Sequence, residues 1–581
     1  MKQAIGYLPS AGSGWIAAAL LLVSVVIISA VSASDPATPE EAGFRLSAES
    51  LARDGDLVLS IEDESRMRLQ GWAESVRPQM RLVEDRVLRF GEPWFYPVLL
   101  VPFVRAAPRL GPVLLNALLL VTALVVSARS LRRRSGESGA WTMTAVVFGS
   151  AVALYVTAIL PVLLLTAATA SALALFSTAA PSVGERLHDL YPEEPSRWRM
   201  VGRSVVGGFL LGLVAAHHVL YTLLLLAPLT LASRRHWSRV LPASLAGAAV
   251  ALLLTWSVSG LWPDQGVVPS VGQQVEVSVG AGITGVERAE IFEPEDLDSI
   301  RLSPQLLAWN SFYAIVGSHV GLLPYFAPLL LLLAAWRWSG SSLLFVLAAL
   351  GLALSVFIAP FDFAGLPAAL GNRLFIPFYV SLWWLPIRPF GPRAGLLGVL
   401  LGLAILWPLW TPGESPLAGL QAGRSGGPIL SRLPYETSQR DLPVRGEVVT
   451  RDLLVRPMGR VESAGRSGHF RLPMGGRADL LVAAPRPLAS LDLHFDTAAG
   501  TKLEIRGGEA GDMILTPDGG VAFRVRPQGG RIRHPVWWSR EAHTFYRLHV
   551  SMPDASGSTV FSISSAEVDS ADRRIGLAGS K

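Results

Sequence analysis

Two adjacent glutamates, Glu40 and Glu41, stand a few residues beyond a long apolar segment, and Glu49, Asp54 and Asp56 follow in "PEEAGFRLSAESLARDGDLVLS" (39–60). A carboxylate at a membrane surface can take the proton of a hydroxyl and so activate it for attack. Two carboxylates side by side in a low-dielectric pocket repel, which raises the proton affinity of one of them. The same acidic residues would also serve as a solvated tether leaving the membrane. Further polar residues mark the edges of later apolar segments: His217 and His218 in "AHHVLY" (216–221), His319 and Tyr325 in "GSHVGLLPYF" (317–326), and Asn372 and Arg373 in "GNRLFIPFY" (371–379). An arginine at head-group depth can pair with a phosphate or simply snorkel to the interface. His319, beginning a span after Gly317-Ser318, can meet a phosphate or sugar oxygen or act as a structural hydrogen-bonder. The two adjacent histidines project in different directions, which argues against joint metal ligation. Asp54 and Asp56 could hold a divalent cation; "DGD" is also an ordinary Asx-turn between helix and strand.

The elements that must position these residues are mostly apolar. The chain has 581 residues, 51% hydrophobic and 16% charged, which indicates a polytopic membrane protein with some soluble mass. Its pI near 9.6 comes almost wholly from arginine, since lysine occurs only at Lys2, Lys502 and Lys581. The arginines flank apolar segments, so topology explains them better than nucleic acid does. There is no cysteine, which removes disulfides, thiol catalysis and thiolate metal sites. Walker and zinc signatures are absent too, and the one GxGxxG string, "GAGITG" (280–285), falls in a polar Gly-rich loop rather than between a strand and a helix, leaving nucleotide-sugar and ATP chemistry without support.

The first apolar segment, "GWIAAALLLVSVVIISAVSA" (14–33), is long for a signal peptide and is expected to remain as a membrane helix. Others fall near 97–128, 141–158, 160–179, 204–232, 240–260, 319–336, 341–360, 374–387 and 394–411. Placing the basic runs "ARSLRRRS" (128–135), "SRWRMVGR" (196–203), "SRRHWSR" (233–239), Arg337 and "IRPFGPR" (387–393) in the cytoplasm makes 204–232 a short hairpin turning at "AHHV". About eleven crossings result, with the N-terminus inside. Residues 34–94, 261–318, 361–373 and everything after 412 then lie outside.

A membrane domain over 1–412 is followed by a Gly-, Pro- and Ser-rich linker at 413–440. Short alternating runs come next, among them "GHFRL", "ADLLVAA", "SLDLHFD", "VAFRVRP", "TFYRLHVSM" and "STVFSIS". They predict an antiparallel β-sandwich over 441–570, with 571–581 as a tail. Trp537 and Trp538 could offer a sugar-stacking face there, or pack in its core; alternation allows at most one of them to face out.

Taken in order, several stretches resemble a bacterial branch of the GT-C superfamily of membrane glycosyltransferases, which includes protein O-mannosyltransferases and arabinosyltransferases. In that branch the first helix is followed outside by an Asp-Glu pair, Pro-His-Tyr, a short helix and an "L..DGDL.L" turn. Here Glu40 and Glu41 stand at the acidic pair, Ala42, Gly43 and Phe44 replace Pro-His-Tyr, and "DGDL" is kept. "YPVLLVPFVRAAPRLGPVLLNALL" (96–119) resembles a re-entrant segment and second span, and "FGSAVALYVTAILPVLLL" (148–165) the third and fourth, with Val162 at a usual glutamate. "AHHVLY" is similar to a His-x-Arg-Tyr element with Leu220 for arginine. "WNSFYAIVGSHVGLLPYFAP" (309–328) is similar to "GRHxGLLPYF" with Ser318 for arginine, and "GNRLFIPFY" to "GNRYFLPLY". The resemblance covers residues 14 to about 411 and leaves out the β-rich tail.

The resemblance implies a GT-C-like helical membrane fold and transfer of a sugar from a polyprenyl-phosphate donor to an extracytoplasmic glycan, lipid or protein, by inverting displacement. It implies Glu40 as base with Glu41 beside it, and Arg373, His319, Asn372, Tyr325 and His218 as donor-phosphate and substrate-binding residues. It fixes no cofactor beyond the lipid-linked donor substrate and leaves a divalent cation open, since some members use one. The location implied is a bacterial inner membrane, with the C-terminal domain outside. Two other readings stay open: a non-catalytic envelope-assembly or carrier-binding protein with the same fold, and a transporter. The near absence of ionisable residues at mid-membrane depth speaks against the transporter.

Overall fold

The computed structural model describes residues 9–32, 36, 38–57, 63, 65–66, 80–83, 87–90, 93–135, 137–177, 197–232, 236–259, 303–336, 342–361, 363–364, 370–386, 388–410, 427–430, 432–438 and, between 447 and 568, the strands named below with short joining pieces. The Gly-rich loop 261–302, most of the expected linker, the tail 571–581, and Trp537 and Trp538 lie outside the described residues. Two units are resolved. The first comprises the described residues of Met1–Glu293, Ala314–Ala359 and Phe363–Leu417, and the second those of Pro294–Tyr313, Pro360–Asp362 and Ala418–Lys581.

The first unit is helical. Its main elements are α1 (Pro9–Val31), α2 (Pro39–Arg53), α3 (Phe95–Ala106), α4 (Gly111–Ser135), α5 (Ala140–Phe148), α6 (Val162–Ser177), α7 (Arg197–Ala215) and α8 (Trp237–Ser259). A further helix, α9 (Pro304–Val316), is shared between the units, and α10 (Ser342–Ile358), α11 (Ile376–Leu382) and α12 (Pro392–Leu406) return to the first. Among the described residues, five helices are long and apolar enough to cross a membrane: Gly12–Val31, Gly111–Ser135, Arg197–Ala215, Trp237–Val258 and Pro392–Leu409. Five shorter apolar stretches accompany them, at Phe95–Ala106, Val162–Ser177, Val219–Leu231, Ser342–Ile358 and Arg373–Leu382. In α1, Leu20, Val23 and Ile27 stay exposed, the surface a lipid-facing helix would show.

Several segments expected as continuous spans are broken, and the breaks carry several of the candidate residues. Residues 141–158 are not one helix: α5 ends at Gly149, and a 3-10 helix, Ala151–Val156, takes over. Ser150 turns the chain there by accepting from the Val152 amide at 3.4 Å, and Pro161, which lacks an amide donor, precedes α6. Residues 204–232 form the expected hairpin, α7 turning at Ala216–His218 into the 3-10 helix Val219–Leu226. Residues 319–336 are not a span beginning at His319. They divide into the short helices Leu322–Tyr325 and Leu329–Ala334, interrupted where Pro324 and Pro328 remove donors.

α2 is a short helix of a different kind. Thr38 caps it by accepting from the Glu41 amide at 3.1 Å, and Pro39 occupies the first turn. Glu40 and Glu41 sit at its N-terminus, where the peptide dipole favours negative charge. From Glu40 to Ser50 only buried residues occur. Phe44 meets the edge of Tyr96 on α3 at 5.4 Å, and Arg45 pairs with Glu49 one turn on at 3.1 Å. Glu40, Glu41 and Glu49 are therefore no solvated tether, whereas Asp54 and Asp56 at the end of the helix are exposed.

In the second unit the paired strands are antiparallel. One sheet runs β10 (Gly508–Leu515), β11 (Val521–Pro527), β8 (Leu488–Phe495), β14 (Thr559–Val568), β6 (His469–Leu472), β5 (Glu462–Ser463). The other runs β12 (Arg533–Val536), β13 (Ser539–Ser551), β7 (Arg477–Ala484), β4 (Leu453–Met458), β3 (Glu447–Thr450), with β9 (Glu504–Arg506) on β13. A small hairpin, β1 (Met80–Val83) with β2 (Val87–Phe90), lies in the first unit. Tyr546, Leu548 and Val550 of β13 join Leu491, Leu493 and Phe495 of β8 in one core shared by the two sheets. Part of the expected linker folds as well: Glu436, Thr437 and Ser438 are buried, Tyr313 bonds Thr437 at 3.1 Å, and Trp309 lies 4.4 Å from the His534 ring.

Candidate functional site

The first unit brings residues from five separate stretches to one buried place. Its centre is an ion pair: Arg373 Nη1 donates to Glu40 Oε2 at 2.5 Å, across 333 residues of sequence. Glu40 is 7% exposed. Burial pushes its carboxyl above the usual carboxylate range, while the guanidinium pulls the other way.

Glu41 does not share that position. Consecutive helical residues point about 100° apart, and Glu41 is turned the other way, where its Oε1 accepts from the Ile159 amide at 2.9 Å. The expected repulsion between two paired carboxylates is thus replaced by two separate anchorages. What raises the proton affinity of Glu40 is loss of water, and Glu41 holds α2 against the broken segment.

That segment is fixed from below by Asn116 of α4. Its amide nitrogen donates to the carbonyl of Ala158 at 2.6 Å and reaches those of Tyr155 and Val156, and its oxygen accepts from the Tyr96 hydroxyl at 3.1 Å. Buried carbonyls freed by a helix break need such partners. Tyr155 in turn donates its hydroxyl to the Leu370 carbonyl at 2.8 Å, and the Gly371 amide donates to the carbonyl of His319 at 2.7 Å.

These bonds hold a left-handed pair that aims Arg373. Gly371 has φ +67° and Asn372 φ +50°, a conformation open to glycine and tolerated by asparagine. A Cβ at residue 371 would lie 2.5 Å from the Cβ of Tyr325. Asn372 then caps the 3-10 helix Arg373–Phe375, its Oδ1 accepting from the Phe375 amide at 3.1 Å. Its Nδ2 is buried with no partner among the described residues.

The other expected residues serve this frame. Tyr325 donates its hydroxyl to the Ser318 carbonyl at 2.8 Å and walls Gly371. The His319 ring bonds the Ser318 hydroxyl at 2.8 Å, and its backbone carbonyl accepts from Gly371. His218 caps the 3-10 helix after α7, its Nδ1 accepting from the Leu220 amide at 3.2 Å. Asp54 ends α2 and is paired with Arg66, and Asp56 accepts from Ser50 at 3.2 Å. Among the described residues no three His, Asp or Glu side chains group around a possible metal position.

Three residues that sequence reasoning did not place at the centre belong there. Tyr155 and Tyr221 lie close enough to feel the charges of both Glu40 and Arg373. His217 lies within reach of the guanidinium charge. The signal for His217 was "AHHVLY", in which the resemblance singles out His218 alone. Tyr155, inside an apolar run, carried no signal distinguishing it from a packing residue.

No family model and no curated protein matches the chain. Among solved structures, the chain is similar to ArnT from Cupriavidus metallidurans bound to undecaprenyl phosphate, at 14% identity and a TM-score of 0.36, over 68% of this chain. The match spans 60% of the length of that protein.

Proposed function

We propose that the chain is a membrane glycosyltransferase that takes a sugar from a polyprenyl-phosphate carrier and passes it to an extracytoplasmic acceptor by a single inverting displacement. The observation that supports this most is the buried Glu40–Arg373 pair, which joins a base and a phosphate partner at one point. Arg373 has charge and geometry suited to a phosphate oxygen. Asn372 Nδ2, a buried donor without a partner among the described residues, stands next to it in sequence and suits the same oxygens.

The pair has a mechanistic consequence. At rest the guanidinium lowers the proton affinity of Glu40. A donor phosphate that draws Arg373 to itself removes that restraint, and the carboxylate becomes a stronger base when the donor is in place. Glu40 Oε2 then takes the proton of the acceptor hydroxyl as the acceptor oxygen bonds to the anomeric carbon. The bond from that carbon to the phosphate oxygen breaks, its electron pair leaving on polyprenyl phosphate beside Arg373 and Asn372. Glu41, Asn116, Tyr155 and Tyr325 keep the two reacting groups in register. On this proposal the site opens on the outer side of a bacterial inner membrane.

A second function is favoured by the same pair: a carrier-binding protein in which Glu40–Arg373 is only a clamp between α2 and the turn at 371–373. One experiment separates the two. The purified protein in lipid nanodiscs is given polyprenyl-phosphate mannose, glucose or arabinose with labelled sugar, together with cell-envelope extract as acceptor. Wild type is expected to transfer label from one of them, and Glu40→Gln to do so about 100-fold or more slowly, the scale of a lost general base. Transfer undiminished in Glu40→Gln removes Glu40 from the chemistry and leaves the clamp.

A further inference from the structure

Next to the ion pair lies a feature that phosphate binding and proton transfer do not use. His217 ends the turn after α7, and its Nδ1 lies 2.9 Å from the Leu213 carbonyl. A carbonyl only accepts, so the ring proton is on Nδ1 and Nε2 carries a lone pair. That Nε2 is buried and has no partner among the described residues. Burial foremost, with Arg373 adding to it, pushes the imidazole down to about 4, so the ring is neutral near pH 7. Phe95 lies 6.4 Å from the His217 ring, and Trp94 lies 4.2 Å from Phe95. At the far end of this aromatic row the Trp94 indole Nε1 is likewise buried without a partner among the described residues.

The polarity of the two atoms selects their ligand. A neutral imidazole acceptor repels a phosphate oxygen, which also presents lone pairs, so it has no part in holding the departing group. It needs a donor. An ammonium is disfavoured by the neighbouring guanidinium, which leaves a neutral hydroxyl. An indole N–H needs an acceptor, and a hydroxyl oxygen is one. Sugars supply hydroxyls that both give and take hydrogen bonds, and their C–H faces lie on aromatic rings.

We propose that Trp94, Phe95 and His217 form the sugar subsite, with His217 Nε2 accepting a hydrogen bond from one ring hydroxyl of the transferred sugar and Trp94 Nε1 donating to another. The subsite rests on the glycosyltransferase role proposed above and names the part of the donor that Arg373 and Asn372 do not hold. Its residues set which sugar is accepted, because a buried site built for a hydroxyl leaves its own polar atom stranded when that hydroxyl is missing.

The test compares binding of two probes to the full-length protein in nanodiscs: sugar-free polyprenyl phosphate, and the sugar-loaded form on which wild type is active. His217→Phe keeps a ring and removes the acceptor; Trp94→Phe keeps a ring and removes the donor. Each is expected to bind sugar-free carrier as wild type does and the loaded carrier about tenfold more weakly. His217→Gln, which retains an acceptor oxygen, is expected to recover part of the loss. Should His217→Phe fail to fold, wild type alone decides with a series of monodeoxy donors, one position of which is expected to cost about tenfold or more. Unchanged affinity for the loaded carrier in both Phe variants, equal weakening for both probes, or a flat deoxy series overturns the subsite. Wild type that binds neither probe overturns the glycosyltransferase role, and the subsite with it.

Discussion

The Glu40 carboxylate and the Arg373 guanidinium meet at 2.5 Å within the helical unit, one from the first turn of a short capped helix and the other from the residue after a left-handed Gly-Asn pair. Glu40 is buried and Arg373 largely so, and each would be costly without the other. That mutual dependence makes the site open to measurement even before its substrate is known.

Removing the cation strands the anion. Arg373→Met should destabilise the protein by about 3–5 kcal/mol, the usual result of leaving a buried charge uncompensated. The double variant Glu40→Leu/Arg373→Met should regain most of that loss, since apolar replacements of a buried pair are often close to neutral. Denaturant or thermal unfolding in detergent measures both. A double variant no more stable than Arg373→Met would show that the two side chains are not coupled.

Stability should depend on pH through Glu40. Burial holds its folded carboxyl above the ordinary value of 4.5, so the folded chain keeps a proton that the unfolded chain releases. The contribution is therefore full below the ordinary value and is lost as pH rises through the raised one. Transfer, which needs the ionised form, should climb over the same interval. Melting curves recorded against pH should lose this slope in Glu40→Gln and show it at higher pH in Arg373→Met, where the lowering influence is gone.

Asn116 should matter more than a single asparagine in an apolar helix normally does. Asn116→Leu leaves the Ala158 carbonyl and the Tyr96 hydroxyl without this partner, and each buried group so stranded costs about 1–3 kcal/mol. Hydrogen exchange should quicken around residues 151–161 more than elsewhere. Protection there equal to wild type would mean the broken segment stands without this support.

Gly371→Ala should weaken the turn that presents Arg373. The left-handed backbone costs a non-glycine residue about 1–2 kcal/mol, and the added methyl would meet Tyr325 at 2.5 Å. Because the displaced element carries Arg373, the proposed phosphate partner, transfer should fall further than the melting temperature suggests. Equal, small changes in both would place the turn outside the reaction.

Much of this arrangement was visible in the residue order. The acidic pair after the first apolar segment, with the short helix that the resemblance implies, and Arg373 just before an apolar run are legible in the sequence; the Thr38 cap and the left-handed Gly371-Asn372 turn are not. The alternating runs of β7, β8, β11 and β13 are where expected, whereas β4 and β10, with proline at 457 and glycines at 508 and 511, lack clean alternation. Less visible was the direction in which neighbours point. Adjacency in sequence suggested that Glu40 and Glu41 act together, yet the helical advance separates them by a third of a turn. In "HHVLY" the residue that faces the charges was equally undetermined, because the position of a turn decides it. Breaks such as 149–161 are apolar throughout, so hydropathy runs straight across them; Ser150 and Pro161 are the signs, and they gain meaning only once Asn116 is seen to satisfy the freed carbonyls.

Glu40 and Arg373 are separated by 333 residues, and that distance is also an interval of time. At synthesis rates of about 5–20 residues per second the carboxylate leaves the ribosome roughly 15–70 s before the arginine exists. Through that wait the short helix α2 must exist with its acid unmatched by this arginine, protonated or in contact with water. A chain cut short before residue 373 can never neutralise it, so closure of this one contact records that the helical unit was made through to that turn.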